Sequence, residues 1–391
     1  MEKIRLGILG IGNMGSGHAR GVMEGKNPDF VLTAVADVNP ARLKWIGEAY
    51  PQAGIATFDN AQAMLDSGLI DACLIAVPHY NHANFAMECM KRSIHVLVEK
   101  PADVYTKQAR AMNEEADRHP EVVFGMMFNQ RTNCLYRKMR ELVQSGEYGQ
   151  IRRTNWIITD WYRPQAYYDS GDWRATWSGE GGGVLLNQCP HQLDLWQWIC
   201  GMPKKLYAHM HFGKWHDIEV EDDVTAYVEY ENGATGVFVT TTGDAHGTNR
   251  FEVQMDRAKL VVEHDKLTVL EYEMPEQEWS RTNKIPFGNV PCKEVEVELD
   301  GENPQHIGVI NAWGDAILRG GKLVADGRDG INGLTISNAL HLSAFLGKEI
   351  ELPMDEDLYK EELFKRVATS RRKAKVEAVF ADTSDTYGGN K

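Results

Sequence analysis

The first fifteen residues constrain the fold more than any other stretch. Ile4-Arg5-Leu6-Gly7-Ile8-Leu9 reads as a short buried strand, and Gly10-Ile11-Gly12-Asn13-Met14-Gly15 follows at once, ahead of a helical stretch from Ser16 to Glu24. G-x-G-x-x-G between a strand and a helix is the turn that holds a dinucleotide. Gly10 permits the tight turn, Gly12 lets a pyrophosphate approach bare backbone, and Gly15 lets helix and strand pack closely. The N–H groups of the helix start, Asn13 and Met14 included, and its positive end then hold the phosphates. A second strand, Val31 to Ala36, runs into Asp37. A carboxylate there accepts hydrogen bonds from a ribose and repels a 2′-phosphate, which favours NAD over NADP. Arg42 is the residue that could instead lean toward such a phosphate.

The pattern continues as a doubly wound parallel sheet. Asn39-Pro40 opens a helix, Asn39 as cap and Pro40 in the first turn. Short strands at 55–58, 72–77, 95–98 and 122–126 alternate with helices at 60–66, 81–92 and 106–118. Strands alternating with helices of this length build a parallel sheet, and the fully apolar Ala72–Val77 suits a strand buried on both faces. This places a dinucleotide-binding domain at residues 1–128.

The style changes over residues 129–391. One amphipathic helix spans 132–145. Longer, alternating strands follow at 151–161, 205–212, 224–230, 235–242, 250–255, 259–263 and 267–272, with Asn232-Gly233 as a hairpin turn between two of them. A helix at 189–200 interrupts them, stopped by Gly201 and Pro203, and helices return at 304–319 and 331–346. The fold class is α/β: a nucleotide-binding domain plus an α+β domain with a large, mostly antiparallel open sheet. Alternating apolar residues on 225–230 and 236–242 leave a sheet face that the first domain does not cover. Such a face is usually buried between subunits, which predicts a homodimer or homotetramer. The polar, Gly-rich end, 382–391, is expected to fray.

Composition excludes several classes. A formal net charge of −14 argues against broad nucleic-acid binding, which needs clustered Lys and Arg. Arg371, Arg372, Lys373 and Lys375 do cluster, and a solvated helix end accounts for them. No stretch approaches the ~18 apolar residues of a membrane span. The six cysteines form no C-x-x-C pair, and the N-terminus has no signal-peptide pattern, so a cytoplasmic protein is expected.

Two stretches carry chemistry. Val98-Glu99-Lys100-Pro101 lies at the carboxyl end of a strand, where open α/β sheets bind ligands. A lysine there can hydrogen-bond a substrate oxygen and stabilise a developing alkoxide. The second is Gly181-Gly182-Gly183-Val184-Leu185-Leu186-Asn187-Gln188-Cys189-Pro190-His191-Gln192-Leu193-Asp194. His191 has the pKa for proton transfer near neutral pH. If this stretch is helical, Asn187, His191 and Asp194 share one face, and Asp194 could orient the imidazole. Pro190 suggests that the regular helix begins only there. Cys189 reads as a packed thiol. His209, His211 and His216 lack the companions of a tetrahedral site, so no metal is expected.

The glycine motif, Val77-Pro78 followed by His82, His95-Val96-Leu97-Val98-Glu99-Lys100-Pro101 and the glycine run leading to H-x-x-D together resemble the glucose–fructose oxidoreductase/inositol dehydrogenase (Gfo/Idh/MocA) family. The resemblance covers nearly the whole chain. It implies an N-terminal Rossmann domain, NAD or NADP as cofactor, and oxidation or reduction of a sugar, glycoside or polyol. It implies that Lys100 matches the family lysine and His191 the catalytic histidine, and that Pro78, His82 and Glu99 line the nicotinamide end. Family inositol dehydrogenases carry an aspartate where this chain has Asn187, and an amide positions a hydroxyl but takes no proton. The family also includes enzymes that recycle a bound NAD in redox-neutral glycoside cleavage or epimerisation. A non-catalytic sugar sensor on the same fold is a third possibility, which intact Lys100 and His191 argue against.

Between the domains lies Asp160-Trp161-Tyr162-Arg163, then Tyr167-Tyr168, then Asp172-Trp173-Arg174-Ala175-Thr176-Trp177. Aromatic rings stack on the C–H faces of sugars while Arg and Asp bond their hydroxyls. Trp161, Tyr162, Trp173 and Arg174 are therefore expected to line the substrate side of a cleft.

Overall fold

The computed structural model describes residues 3–371 and Lys373. The expected frayed end at 382–391, and Arg372 and Lys375 of the basic cluster, lie outside the described residues. Lys373 of that cluster lies beyond the end of the last helix and donates from Nζ to the Tyr168 carbonyl at 2.9 Å, so this residue is not part of a solvated helix end.

Strands β1 (Ile4–Leu9), β2 (Phe30–Ala36), β3 (Ala56–Phe58), β4 (Ala72–Ile75), β5 (His95–Val98) and β6 (Phe124–Met126) form one sheet in the order β3-β2-β1-β4-β5-β6. Every pairing is parallel. The crossovers are α1 (Asn13–Met23), α2 (Pro40–Ala49), α3 (Ala61–Leu65), α4 (His82–Met90) and α5 (Thr106–Arg118). The order reverses between β1 and β4, and such a switch point opens a crevice at the carboxyl ends of the strands. Asn39 caps α2, accepting from the Ala41 N–H at 3.0 Å.

Beyond α6 (Cys134–Gln144) comes β7 (Ile151–Ile158), the short α7 (Gln165–Asp169) and α8 (Pro190–Cys200). A second sheet is then built from β8 (Lys205–Phe212), β9 (Glu221–Glu229), β10 (Thr235–Thr241), β11 (Asn249–Met255), β12 (Ala258–Glu263), β13 (Lys266–Tyr272), β14 (Cys292–Val295) and β15 (Ile350–Glu351), together with β7. Its order is β14-β13-β12-β11-β7-β10-β9-β8-β15. β10 pairs parallel with β7, and the other pairings are antiparallel. Trp156 anchors its inner face, stacked on Phe251 at 4.1 Å, with Trp196 of α8 stacked on Phe238 at 5.3 Å.

The remaining helices are α9 (Glu276–Thr282), α10 (Gln305–Arg319), α11 (Gly330–Leu346) and α12 (Glu356–Thr369). Helix α10 leaves the second sheet and packs on the first. Trp313 is fully buried and stacks on Phe30 of β2 at 5.2 Å, and Val309 and Ile310 enter the cluster that holds Leu6, Ile8 and Leu32. Each such side chain contributes about 1.5–3 kcal/mol on burial. The return of α10 brings His306 beside His18 of α1, ring centroids 5.6 Å apart.

Candidate active site

Helix α1 starts at Asn13, inside the glycine motif, with Gly12 as its N-cap. Gly10 takes φ +86°, a left-handed turn that favours glycine. A Cβ on Gly12 would meet nothing within 4 Å, so the loop presents bare backbone to open space. That is the cradle a pyrophosphate requires. A Cβ on Gly15 would lie 1.8 Å from the Gly10 carbonyl oxygen. Gly15→Ala is therefore expected to abolish NAD binding and lower the melting temperature, because backbone must move. Unchanged NAD titration would contradict this role. Asp37 holds the loop from the other side, its Oδ2 accepting from the Ile11 N–H at 2.8 Å and its Oδ1 from the Asn39 N–H at 2.8 Å. Arg42 is buried beside it, its Nη2 at 3.4 Å from Asn13 Oδ1.

The cleft runs from this loop to the second domain, with a volume of about 1200 Å³. Its lining includes Gly10, Gly12, Asn13, Met14, Asp37 and Arg42 at one end, and Pro78, His82, Glu99, Lys100, Asn187 and His191 at the other. His82 braces the turns there, its Nδ1 at 2.6 Å from the Pro101 carbonyl and its Nε2 at 2.7 Å from that of Val77. Glu99 is buried and bonded to His18, whose Nε2 is 2.7 Å from Glu99 Oε1. Burial alone would raise the Glu99 pKa, but the His18 hydrogen bond and the charges of His18, His306 and Lys100 overcome it and hold the carboxyl at about 2. Neither His18 nor His306 stood out in the sequence. His18 lies in an ordinary helical stretch, and His306 reaches the site only because α10 returns to the first sheet.

Lys100 Nζ donates to the Asn187 backbone carbonyl at 2.9 Å, across from β5 to the second domain. Burial lowers its pKa, while the Glu99 and Glu180 carboxylates oppose that. The Asn187 side-chain amide in turn donates to Glu180 Oε1, and Glu180 Oε2 accepts from the Ala175 N–H at 2.5 Å. A buried carboxylate thus stands directly behind the amide. Glu180 carries no motif of its own, since it precedes the glycine run in irregular chain.

His191 is buried, and neither of its ring nitrogens has a hydrogen-bond partner among the described residues. Burial, and then the charges of Lys100 and His306, hold its pKa well below the ordinary histidine value. The imidazole is therefore neutral at neutral pH and can accept a proton. Helix α8 begins at Pro190, so Asn187 precedes it, and the shared helical face of Asn187, His191 and Asp194 does not form. Nor does Asp194 orient His191. Its two oxygens take Nε and Nη2 of Arg131 at 2.8 and 2.6 Å, and Oδ1 also accepts from Gln197 at 3.0 Å. Arg131 satisfies the buried charge, and Asp194 braces α8.

The glycine run is fixed from beneath. Glu221 accepts from the Gly183 and Leu185 N–H groups at 2.8 and 3.0 Å, and a Cβ on Gly183 would strike the Glu221 carbonyl at 2.0 Å. In the aromatic segment, Trp161, Trp173 and Arg174 line the cleft as expected, joined by Arg163 and Tyr167. Tyr162 does not: it is exposed and absent from the lining, because the extended chain beyond β7 alternates, turning Trp161 and Arg163 toward the cleft and Tyr162 away from it. Trp177 packs away from the cleft, against Phe212 and Phe345.

Comparison with known proteins matches this architecture. Residues 4–126 match the family described as "Oxidoreductase family, NAD-binding Rossmann fold", and residues 136–261 match the "GFO/IDH/MocA C-terminal domain". The chain belongs to the Gfo/Idh/MocA family. Residues 4–126 carry the NAD-binding Rossmann fold of this oxidoreductase family. Among relatives, the rhizopine catabolism protein MocA of Rhizobium meliloti is 28% identical over 202 residues, 51% of this chain and 58% of that protein. Myo-inositol 2-dehydrogenase of Thermotoga maritima is 23% identical over 276 residues, covering 68% and 77%. The chain thus spans between roughly half and three quarters of these relatives' length. A WlbA dehydrogenase of Chromobacterium violaceum, solved with NADH and UDP-GlcNAcA, superposes with a TM-score of 0.77 at 24% identity, covering 91% of this chain and 97% of that one. That likeness establishes the fold. Among the described residues, no helix is long and apolar enough to cross a membrane.

Proposed function

We propose that the chain is an NAD-dependent dehydrogenase acting on a hydroxyl carbon of a sugar, glycoside or polyol. The carrying observation is the pairing of Lys100 with His191 across one cleft whose far end is the glycine cradle. NAD held by the Gly10–Gly15 cradle and Asp37 would supply the acceptor for the carbinol hydride. His191, neutral and without a competing partner, takes the hydroxyl proton on its open ring nitrogen. Lys100 donates to the same oxygen and stabilises the charge that develops there. Asn187 and Glu180 hold Lys100 in place. Trp161 and Trp173 offer aromatic faces to the ring of the substrate. The names of the relatives, an inositol dehydrogenase among them, support the substrate class. A screen of sugars, inositols and glycosides with NAD, read by NADH absorbance, tests this. Net NADH formation with one of them is expected; tightly bound NAD and turnover without net NADH would contradict it.

Cofactor choice follows from Asp37. NAD is expected to bind more tightly than NADP, and Asp37→Asn is expected to raise the relative affinity for NADP by on the order of tenfold, the size of one screened like-charge repulsion. Fluorescence titration measures both, and tighter NADP binding by the unaltered protein would contradict the assignment.

Association through the second sheet is also proposed. Across the register of β9, β10 and β7, Val237 lies beside Tyr227, and Val239 lies beside Thr225 and Ile157. Tyr227 and Ile157 are exposed, and together these residues make an apolar strip on the outer face. Light scattering at micromolar concentration should report a homodimer or homotetramer; a monomer would refute the sheet-to-sheet assembly.

A further inference from the structure

Two arginines face the substrate half of the cleft without a hydrogen-bonded carboxylate among the described residues, although the charges of Glu180 and Asp160 act on Arg174 and Arg163. Arg163 and Arg174 both line it, and both guanidinium groups stack on the Tyr167 ring, 5.2 and 4.5 Å from its centroid. Arg163 also lies over Trp161 at 5.4 Å, and Arg174 over Trp173 at 4.7 Å. Stacking occupies the planar faces and leaves the N–H edges for a ligand. Their side-chain hydrogen bonds go to neutral oxygens: Arg163 Nη1 to the Tyr162 carbonyl at 2.9 Å and Arg174 Nη1 to Tyr167 Oη at 2.8 Å. Neither makes an ion pair among the described residues.

Elsewhere this acidic chain pairs its arginines readily. Arg5 meets Asp71, Arg92 meets Asp66, Arg131 meets Asp194, and Arg319 meets Asp29, each within 3 Å. With 56 acidic against 42 basic residues, partners are plentiful. The nearby Glu180 is committed to Ala175 and Asn187, and Asp172, also in the lining, makes no ion pair among the described residues. Lys100 adds a third cation, whose Nζ donates to a backbone carbonyl. Glu99 and Asp172 line the same cleft and Glu180 stands behind Asn187, so what the two arginines offer is local: guanidinium edges that no side-chain carboxylate bonds among the described residues.

The pair is also held in place. The Arg163 N–H donates to the Thr242 carbonyl at 3.0 Å, and the Arg163 carbonyl lies 2.8 Å from His216 Nε2. Preorganised donors of this kind recognise planar or tetrahedral oxyanions.

We propose that the substrate carries an anionic group, a carboxylate or a phosphate, received by the Arg163 and Arg174 edges while its hydroxyl faces Lys100 and His191. This rests on the dehydrogenase reading above. The substrate class is then an acidic sugar: a uronic or aldonic acid, or a sugar phosphate. The cation pair selects it from the neutral sugars that share its hydroxyl pattern.

The test is calorimetric binding to the full chain saturated with NADH, so that it does not depend on turnover. D-glucuronate, D-galacturonate, D-gluconate and glucose 6-phosphate are compared with glucose, galactose and methyl glucoside. An anionic ligand should bind about tenfold or more tightly than its neutral parent, the effect of one charge-assisted contact, and the preference should shrink with added salt. The carboxylate and phosphate arms show which anion is taken. Arg174→Met and Arg163→Met should each weaken the anionic ligand by a larger factor than the neutral one, with NADH affinity as the check on folding. Arg174→Lys should recover only part of the preference, because it restores charge without the fork. Equal or tighter binding of neutral sugars, no binding by any anionic ligand, or a preference that survives both methionine substitutions would overturn the inference. Anion binding without NADH formation in the separate assay would instead count against the dehydrogenase reading.

Discussion

His191→Ala is expected to lower kcat by ~10²–10⁴, the usual effect of losing a general base. NAD affinity should stay nearly unchanged, because His191 comes from α8 in the second domain while the cradle belongs to β1 and α1. The pH profile gives an independent check. Burial, with the charges of Lys100 and His306, lowers the His191 pKa in the folded protein, so the base form predominates at neutral pH. For alcohol oxidation kcat/KM should therefore rise from acid pH and level off below about 6.5, the unperturbed histidine value. That limb should vanish in His191→Ala and persist in Asn187→Ala, since an amide does not titrate in this range. An identical profile in His191→Ala and the unaltered protein would move the base elsewhere.

Lys100→Met should cost on the order of 10²–10³ in kcat, the effect of removing one donor aimed at a developing oxyanion. Unlike the histidine change, it should also weaken NAD binding. Lys100 directly follows Glu99, whose Oε2 lies 3.2 Å from the Lys100 N–H, and its Nζ ties β5 to the Asn187 carbonyl at 2.9 Å. Losing that tie loosens the contact between the two domains at the reacting end. Single-turnover rates and NAD titration separate the two effects. A Lys100→Met protein with normal kcat would remove the lysine from the chemistry.

The contrast between these two residues reflects what a sequence can carry. The first sheet was legible because its strands and helices are short and regularly alternating, and because G-x-G-x-x-G fixes a turn by sterics alone. Lys100 and His191 were legible as members of motifs. Asp194 was misplaced because helical spacing says which residues share a face but not which partner from afar claims them. Arg131, from the segment before α6, takes both its oxygens. Asn187 was read as a loss of charge, yet Glu180 supplies a carboxylate behind it through irregular chain where no periodicity applies. Helix α10 has an apolar face, but amphipathicity does not say which sheet receives it, so the approach of His306 to His18 was invisible. Tyr162 was counted into the wall because the aromatic segment was taken as a whole, whereas its extended chain alternates and puts Tyr162 on the side away from Trp161 and Arg163.

The most direct measurement of the central claim is a crystal structure of the full chain with NAD. The account predicts the adenosine ribose on Asp37, the pyrophosphate over Gly12 and the start of α1, and the nicotinamide in the space bounded by Lys100, Asn187 and His191, with its open side toward Trp173 and Arg174. A nicotinamide bound away from Lys100 and His191, or a side chain of the protein filling that space, would contradict it.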